Sequence, residues 1–177
     1  MTWQYTPYTV VYSITTIISV VVALMALRRR AVPGGWALCL LMAAIALLSL
    51  GSALENAVVE AQAKIFWTKV FYLGAASSPV FFFLFTLEYT RQDTWLNRRN
   101  MILLWVLPVI TVIMAATNQY HSLLWNSFTP SPNDSRVLVY RHGPYFWVTV
   151  SYNCLLVLIG TLALVRAVVR SPQLYRR

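Results

Sequence analysis

The stretch 8–30 reads YTVVYSITTIISVVVALMALRRR, twenty uncharged residues closed by Arg28, Arg29 and Arg30. A helix rises 1.5 Å per residue, so about 20 apolar residues carry it across a hydrocarbon core roughly 30 Å thick. Four further runs of similar character lie at 36–54, 66–87, 101–117 and 145–165, and only Lys69, one turn into the third span, interrupts them with a charge. The whole chain agrees: 59% of its residues are hydrophobic and 11% charged, with a mean hydropathy of +0.62. A soluble domain needs roughly a quarter of its residues charged to cover its surface. The expected fold is all-α, a multi-pass transmembrane helix bundle of about five spans (8–27, 36–54, 66–87, 101–117 and 145–165) in the cell membrane, forming a single domain over 1–177.

Orientation follows from the arginines, because cytoplasmic loops retain an excess of Lys and Arg. Arg28, Arg29, Arg30, Arg91, Arg98, Arg99, Arg166, Arg170, Arg176 and Arg177 fall on one side of the spans, and Lys64, Lys69, Arg136 and Arg141 on the other. Ten against four sets the N-terminus outside and the C-terminus in the cytoplasm. Residues 1–9 hold no basic stretch, and the next run ends in arginines without a small-residue cleavage site, so the first helix is expected to stay. The net charge of +9 sits at span ends rather than in a basic groove interleaved with aromatics. The expected partner is therefore the lipid bilayer, not nucleic acid. Trp3, Tyr5, Trp36, Trp67, Trp95, Trp125 and Trp147 lie near span ends, where amphipathic rings favour the interface. Cys39 and Cys154 lie deep in apolar runs and read as buried thiols.

A few polar residues stand out against this background. Glu55 ends the second span and Lys69 enters the third, so a short outer hairpin would bring opposite charges together at membrane depth, where charges often mark functional sites. Lys69, Tyr72 and Ala76 follow i, i+3, i+7 spacing with Trp67 nearby, a face suited to lining a pocket. Gly74, Ser77, Ser78 and Pro79 favour close helix approach and free a carbonyl one turn earlier; Pro108 has the same property in the fourth span. The long outer loop 118–144 contains Pro130, Pro132 and an Asn133-Asp134 turn signal. Asn118, His121 and Trp125 are expected on one helical face there, and His142-Gly143-Pro144 forms a turn into the fifth helix. An outward cavity ringed by His121, Trp125, His142 and Trp147 is the preferred ligand site. Tyr152 and Asn153 should seek partners on neighbouring helices. The candidate ligand-binding set is thus Glu55, Trp67, Lys69, Tyr72, Asn118, His121, Trp125, His142, Trp147 and Tyr152.

The sequence lacks HExxH, GxSxG, a phosphate-cradling loop and a pair of carboxylates placed for acid and base work, so no catalysis is expected of this chain. Neither the histidines nor the cysteines have metal-ligand spacing, and no metal or cofactor is expected.

The string Lys64-Ile65-Phe66-Trp67-Thr68-Lys69-Val70-Phe71-Tyr72-Leu73-Gly74, then Pro79 and Phe85-Thr86-Leu87-Glu88-Tyr89-Thr90, resembles the N-terminal seven-transmembrane sensory region of bacterial and archaeal membrane histidine kinases. Thr117-Asn118 with His121 and Trp125, His142-Gly143-Pro144 with Phe146-Trp147, and the closing Arg170-Ser171-Pro172-Gln173-Leu174-Tyr175-Arg176-Arg177 look like later motifs of that family. The resemblance implies a signal-input module that senses an extracytoplasmic or intramembrane stimulus, a small ligand among them. It also implies a cytoplasmic effector domain in cis, a histidine kinase, diguanylate cyclase or PAS-linked relay, with a second copy as a homodimer partner. The family continues through two more spans, so the expectation is a chain cut before them. Of two rival readings, a small oligomeric transporter or channel component lacks an inverted repeat in its favour, and a membrane scaffold that binds another protein through the outer loop 118–144 stays open.

Overall fold

In the computed structural model, residues 3, 4, 6–92, 95–130 and 138–170 are described, without the side chains of 128–130, 138 and 139. Five helices run in chain order: α1 (Pro7–Arg28), α2 (Gly35–Ala57), α3 (Ala61–Tyr89), α4 (Arg98–His121) and α5 (Pro144–Arg170). Each is long and apolar enough to cross a membrane. In lipid the backbone must satisfy its own polar groups, which is why these uncharged runs are helical whatever their β-branched content. Local signals set the ends: Thr6 accepts from the Thr9 amide with Pro7 in the first turn of α1, and Asn97 caps α4 through the Asn100 amide.

The bundle is built around α3, which packs on α2, α4 and α5, while α1 lies against α2. Small residues decide the α2–α3 contact. A Cβ at Gly51 would meet the Phe71 backbone at 2.7–2.8 Å, and one at Gly74 would press on the Ala44 carbonyl of α2. The two glycines let the helices touch backbone to backbone. One apolar cluster (Val80, Phe83, Leu84, Leu87 and Leu156) fills the arginine-rich end, and a second (Tyr72, Ala115, Leu124 and Trp125) fills the other. The outward faces of α1, α4 and α5 stay apolar, as a lipid-facing surface requires. Cys154 lies on such a face and is exposed rather than buried.

Between α4 and α5 the structure departs from the expected loop. α4 runs on to His121, and β1 (Trp125–Pro130) pairs antiparallel with β2 (Leu138–His142). The Asn133-Asp134 turn lies outside the described residues. α3 begins at Ala61, a turn before the expected 66, which brings Lys64 into the helix. Residues 3 and 4 fold back over the end of α2, with a bridge from Trp3 to Val58 and the Gln4 amide donating to the Ala57 carbonyl at 2.8 Å.

Candidate functional site

At the hairpin end, Asn118 is the organiser. The helix stops at Ser122, which adopts a left-handed conformation (φ 52°). Asn118 is 4% exposed; its Oδ1 accepts from the Leu124 and Trp125 amides at 2.9 and 3.1 Å, and its Nδ2 donates to the Trp125 carbonyl at 3.0 Å. A side-chain amide thus replaces the partners that the reversing chain loses. His121 supports the same turn: Nδ1 accepts from the Leu123 amide at 3.1 Å, which places the ring hydrogen on Nε2, 3.2 Å from Thr117 Oγ1. The reversal turns Trp125 inward onto Tyr72 at 5.1 Å, edge to face, and leaves it 2% exposed. Trp125 therefore does not share a helical face with Asn118 and His121; it belongs to β1.

Next to this ring pair lies a polar cluster shared by three elements. Tyr140 of β2 donates its hydroxyl to Glu55 Oε1 of α2 at 2.6 Å, and the same hydroxyl is 3.0 Å from Thr68 Oγ1 of α3. Lys64, 5% exposed, donates to the Glu55 carbonyl at 3.0 Å, and its charge acts on the Glu55 carboxylate. Burial and, second, the Glu55 charge push the Tyr140 phenol well above its ordinary range, so it stays a donor. The structure gives Glu55 the cation Lys64, not the expected Lys69. On the turn spacing of α3, Lys64, Thr68 and Tyr72 stack at i, i+4, i+8 toward the cluster, whereas Lys69 turns to α4 and donates to the Ala116 carbonyl at 2.9 Å. Among the described residues no buried side-chain nitrogen or oxygen lacks a partner.

The four residues expected to ring a cavity are placed otherwise. Trp125 and His142 face each other across the hairpin, but Trp125 is packed inside while His142 is exposed, stacked on Phe146 at 3.7 Å. Trp147 is 63% exposed, and Trp67 packs edge-on to Phe66 at 5.2 Å. Packed side chains of the second apolar cluster occupy the expected opening. Glu55, Tyr72, Asn118 and Trp125 are brought together; Trp67, Lys69, His142 and Trp147 are not. Sequence reasoning missed Lys64, Thr68 and Tyr140. The i, i+4 stack in α3 and the short apolar, β-branched run at 137–140 were the available signals.

A second polar device joins the helices deeper in the membrane. Proline lacks an amide hydrogen, so Pro79 leaves the Ala75 carbonyl of α3 without its helical donor, and Pro108 does the same to Leu104 of α4. Two consecutive residues of α5 supply the missing donors: Asn153 Nδ2 reaches the Ala75 carbonyl at 3.3 Å, and the Tyr152 hydroxyl reaches the Leu104 carbonyl at 2.6 Å. Nearer the hairpin, the buried Thr111 of α4 lies 3.3 Å from Thr149 and 3.2 Å from the Tyr145 hydroxyl of α5. α5 is thereby tied to both proline-bearing helices.

A bundle of helices each long and apolar enough to cross a membrane is of the multi-pass membrane kind, and a comparison with protein families narrows the class. Residues 11–177 match the model described as the N-terminal 7TM region of histidine kinase. The chain belongs to that family and is a membrane input domain of the cell membrane. No curated protein and no solved structure matches it.

Proposed function

We propose that the chain receives an extracytoplasmic or intramembrane stimulus and passes it, through α5, to a cytoplasmic effector in cis such as a histidine kinase or cyclic-dinucleotide enzyme. The arginine asymmetry puts the hairpin outside and the end of α5 inside. Displacement of the hairpin pulls on Glu55 and Thr68 through Tyr140, and so on the packed pair α2–α3. A stimulus shifts such a bundle only by binding its two arrangements unequally, and this reading assigns the response to the packing around Glu55, Tyr72, Asn118 and Trp125.

The observation that carries this reading is the Tyr152–Asn153 pair on the two proline-freed carbonyls. It couples the position of α5 to the carbonyls freed in both neighbours. A side-chain hydrogen bond between membrane helices contributes about 0.6 kcal/mol on average, enough for roughly a threefold change in a two-state balance. The test is effector output in the intact signalling protein. Tyr152→Phe and Asn153→Leu are each expected to change the ratio of stimulated to basal output about threefold at unchanged membrane abundance. Wild-type ratios in both variants would remove α5 as the relay.

A further inference from the structure

An apolar groove of about 260 Å³ runs between α3 and α4, lined by Leu73, Ala76 and Ser77 on one side and Trp105, Val109 and Ile113 on the other. Trp105 and Ile113 lie eight positions apart on α4, which gives the groove a length of about 12 Å. Leu73, Val109 and Ile113 are exposed along it, so it opens sideways to lipid rather than to water.

Lys69 stands at the hairpin-side end of this groove. It lies one turn before Leu73, and its ammonium spans the gap to the Ala116 carbonyl, one turn beyond Ile113. Among the described residues that carbonyl is its hydrogen-bond partner, and no carboxylate pairs with it. Lys64, by contrast, has Glu55. A cation at membrane depth is costly unless an anion accompanies it, and an ammonium with three donors keeps two free after one bond.

We propose that this groove binds one anionic phospholipid of the surrounding bilayer, an acyl chain lying against Leu73, Ser77 and Val109 and the headgroup phosphate resting on Lys69. The lateral opening selects a bilayer lipid as the occupant, and the unpaired cation selects its charge. The proposal goes beyond the input-domain reading, and its test involves no effector, so either can fail without the other.

The test is native mass spectrometry of the 177-residue chain released from nanodiscs containing phosphatidylglycerol and phosphatidylcholine with identical acyl chains. One tightly held phosphatidylglycerol is expected, favoured about fivefold over phosphatidylcholine, the contribution of one lysine near an anionic surface. Lys69→Gln should abolish the preference, Val109→Trp should lower retention of both lipids by filling the groove, and Arg99→Gln, at the opposite end, should change neither. Equal retention of the two lipids by the wild-type chain, or an unchanged preference in Lys69→Gln, would overturn the proposal. Displacement of the lipid by equimolar oleate would assign the groove to a free fatty acid instead. Disulfide trapping of Ser77→Cys between two copies that excludes lipid would assign it to a second chain.

Discussion

Tyr140 holds the Glu55 carboxylate and Lys64 its backbone carbonyl, and their loss should be felt differently. Tyr140→Phe removes one hydrogen bond from Glu55 and Thr68 and is expected to lower stability by roughly 1–3 kcal/mol, read as a drop in the thermal midpoint in detergent; Tyr120→Phe, on an exposed ring, should leave it unchanged. Lys64→Met removes the hydrogen bond to the Glu55 carbonyl and a cation that acts on its carboxylate, at a cost of roughly 1–3 kcal/mol. Lys69→Met, which releases only a backbone carbonyl at a partly exposed position, should cost clearly less, and equal losses at the two lysines would contradict the assignment of Lys64 as the partner of Glu55. Hydropathy alone inverts this ranking: Lys69 stands out inside an apolar run, while Lys64 sits at its edge and reads as loop. Only the earlier start of α3, with Lys64, Thr68 and Tyr72 one turn apart, shows which lysine faces inward.

At the scale of the helices, the glycines and prolines carry the specific geometry. Gly74→Val should force α3 off α2, because the new side chain meets the Ala44 carbonyl and the Leu48 backbone, and should destabilise the bundle by about 1–3 kcal/mol or more. The proline ties predict a stability cycle. Pro108→Ala returns a helical amide to the Leu104 carbonyl, so Tyr152→Phe should cost about 0.6 kcal/mol in the native background and close to nothing beside Pro108→Ala. An equal cost in both backgrounds would show that Tyr152 acts by packing alone. The helices themselves were legible in the sequence, since a long uncharged run in lipid has no alternative that satisfies its backbone. So was the need of Tyr152 and Asn153 for partners, and the freeing of a carbonyl by each proline. That the donors and acceptors match each other was not legible, because it depends on how α5 is rotated against two helices whose sequences lie far from it. The hairpin was hidden for another reason: Pro130, Pro132 and Asn133-Asp134 dominate a segment whose paired strands are only six and five residues long.

For the molecule as a whole, the arginine asymmetry predicts a topology that labelling can check. In a cysteine-free background, Asn126→Cys on the hairpin should react with an impermeant maleimide on intact cells, and Arg99→Cys only after permeabilisation; the reverse pattern would invert the bundle. Packing is largely between sequential neighbours, α1 with α2 and α2 with α3, which suits insertion helix by helix. The bond from Tyr140 to Glu55 is among the exceptions, spanning 85 positions. At roughly 5–20 residues per second, Glu55 leaves the ribosome about 4–17 s before the phenol that will cover it. Lys64 follows only nine positions behind it. The ammonium is thus at hand for the acid almost at once, while the tyrosine joins it only after α3 and α4 have been made and just ahead of α5.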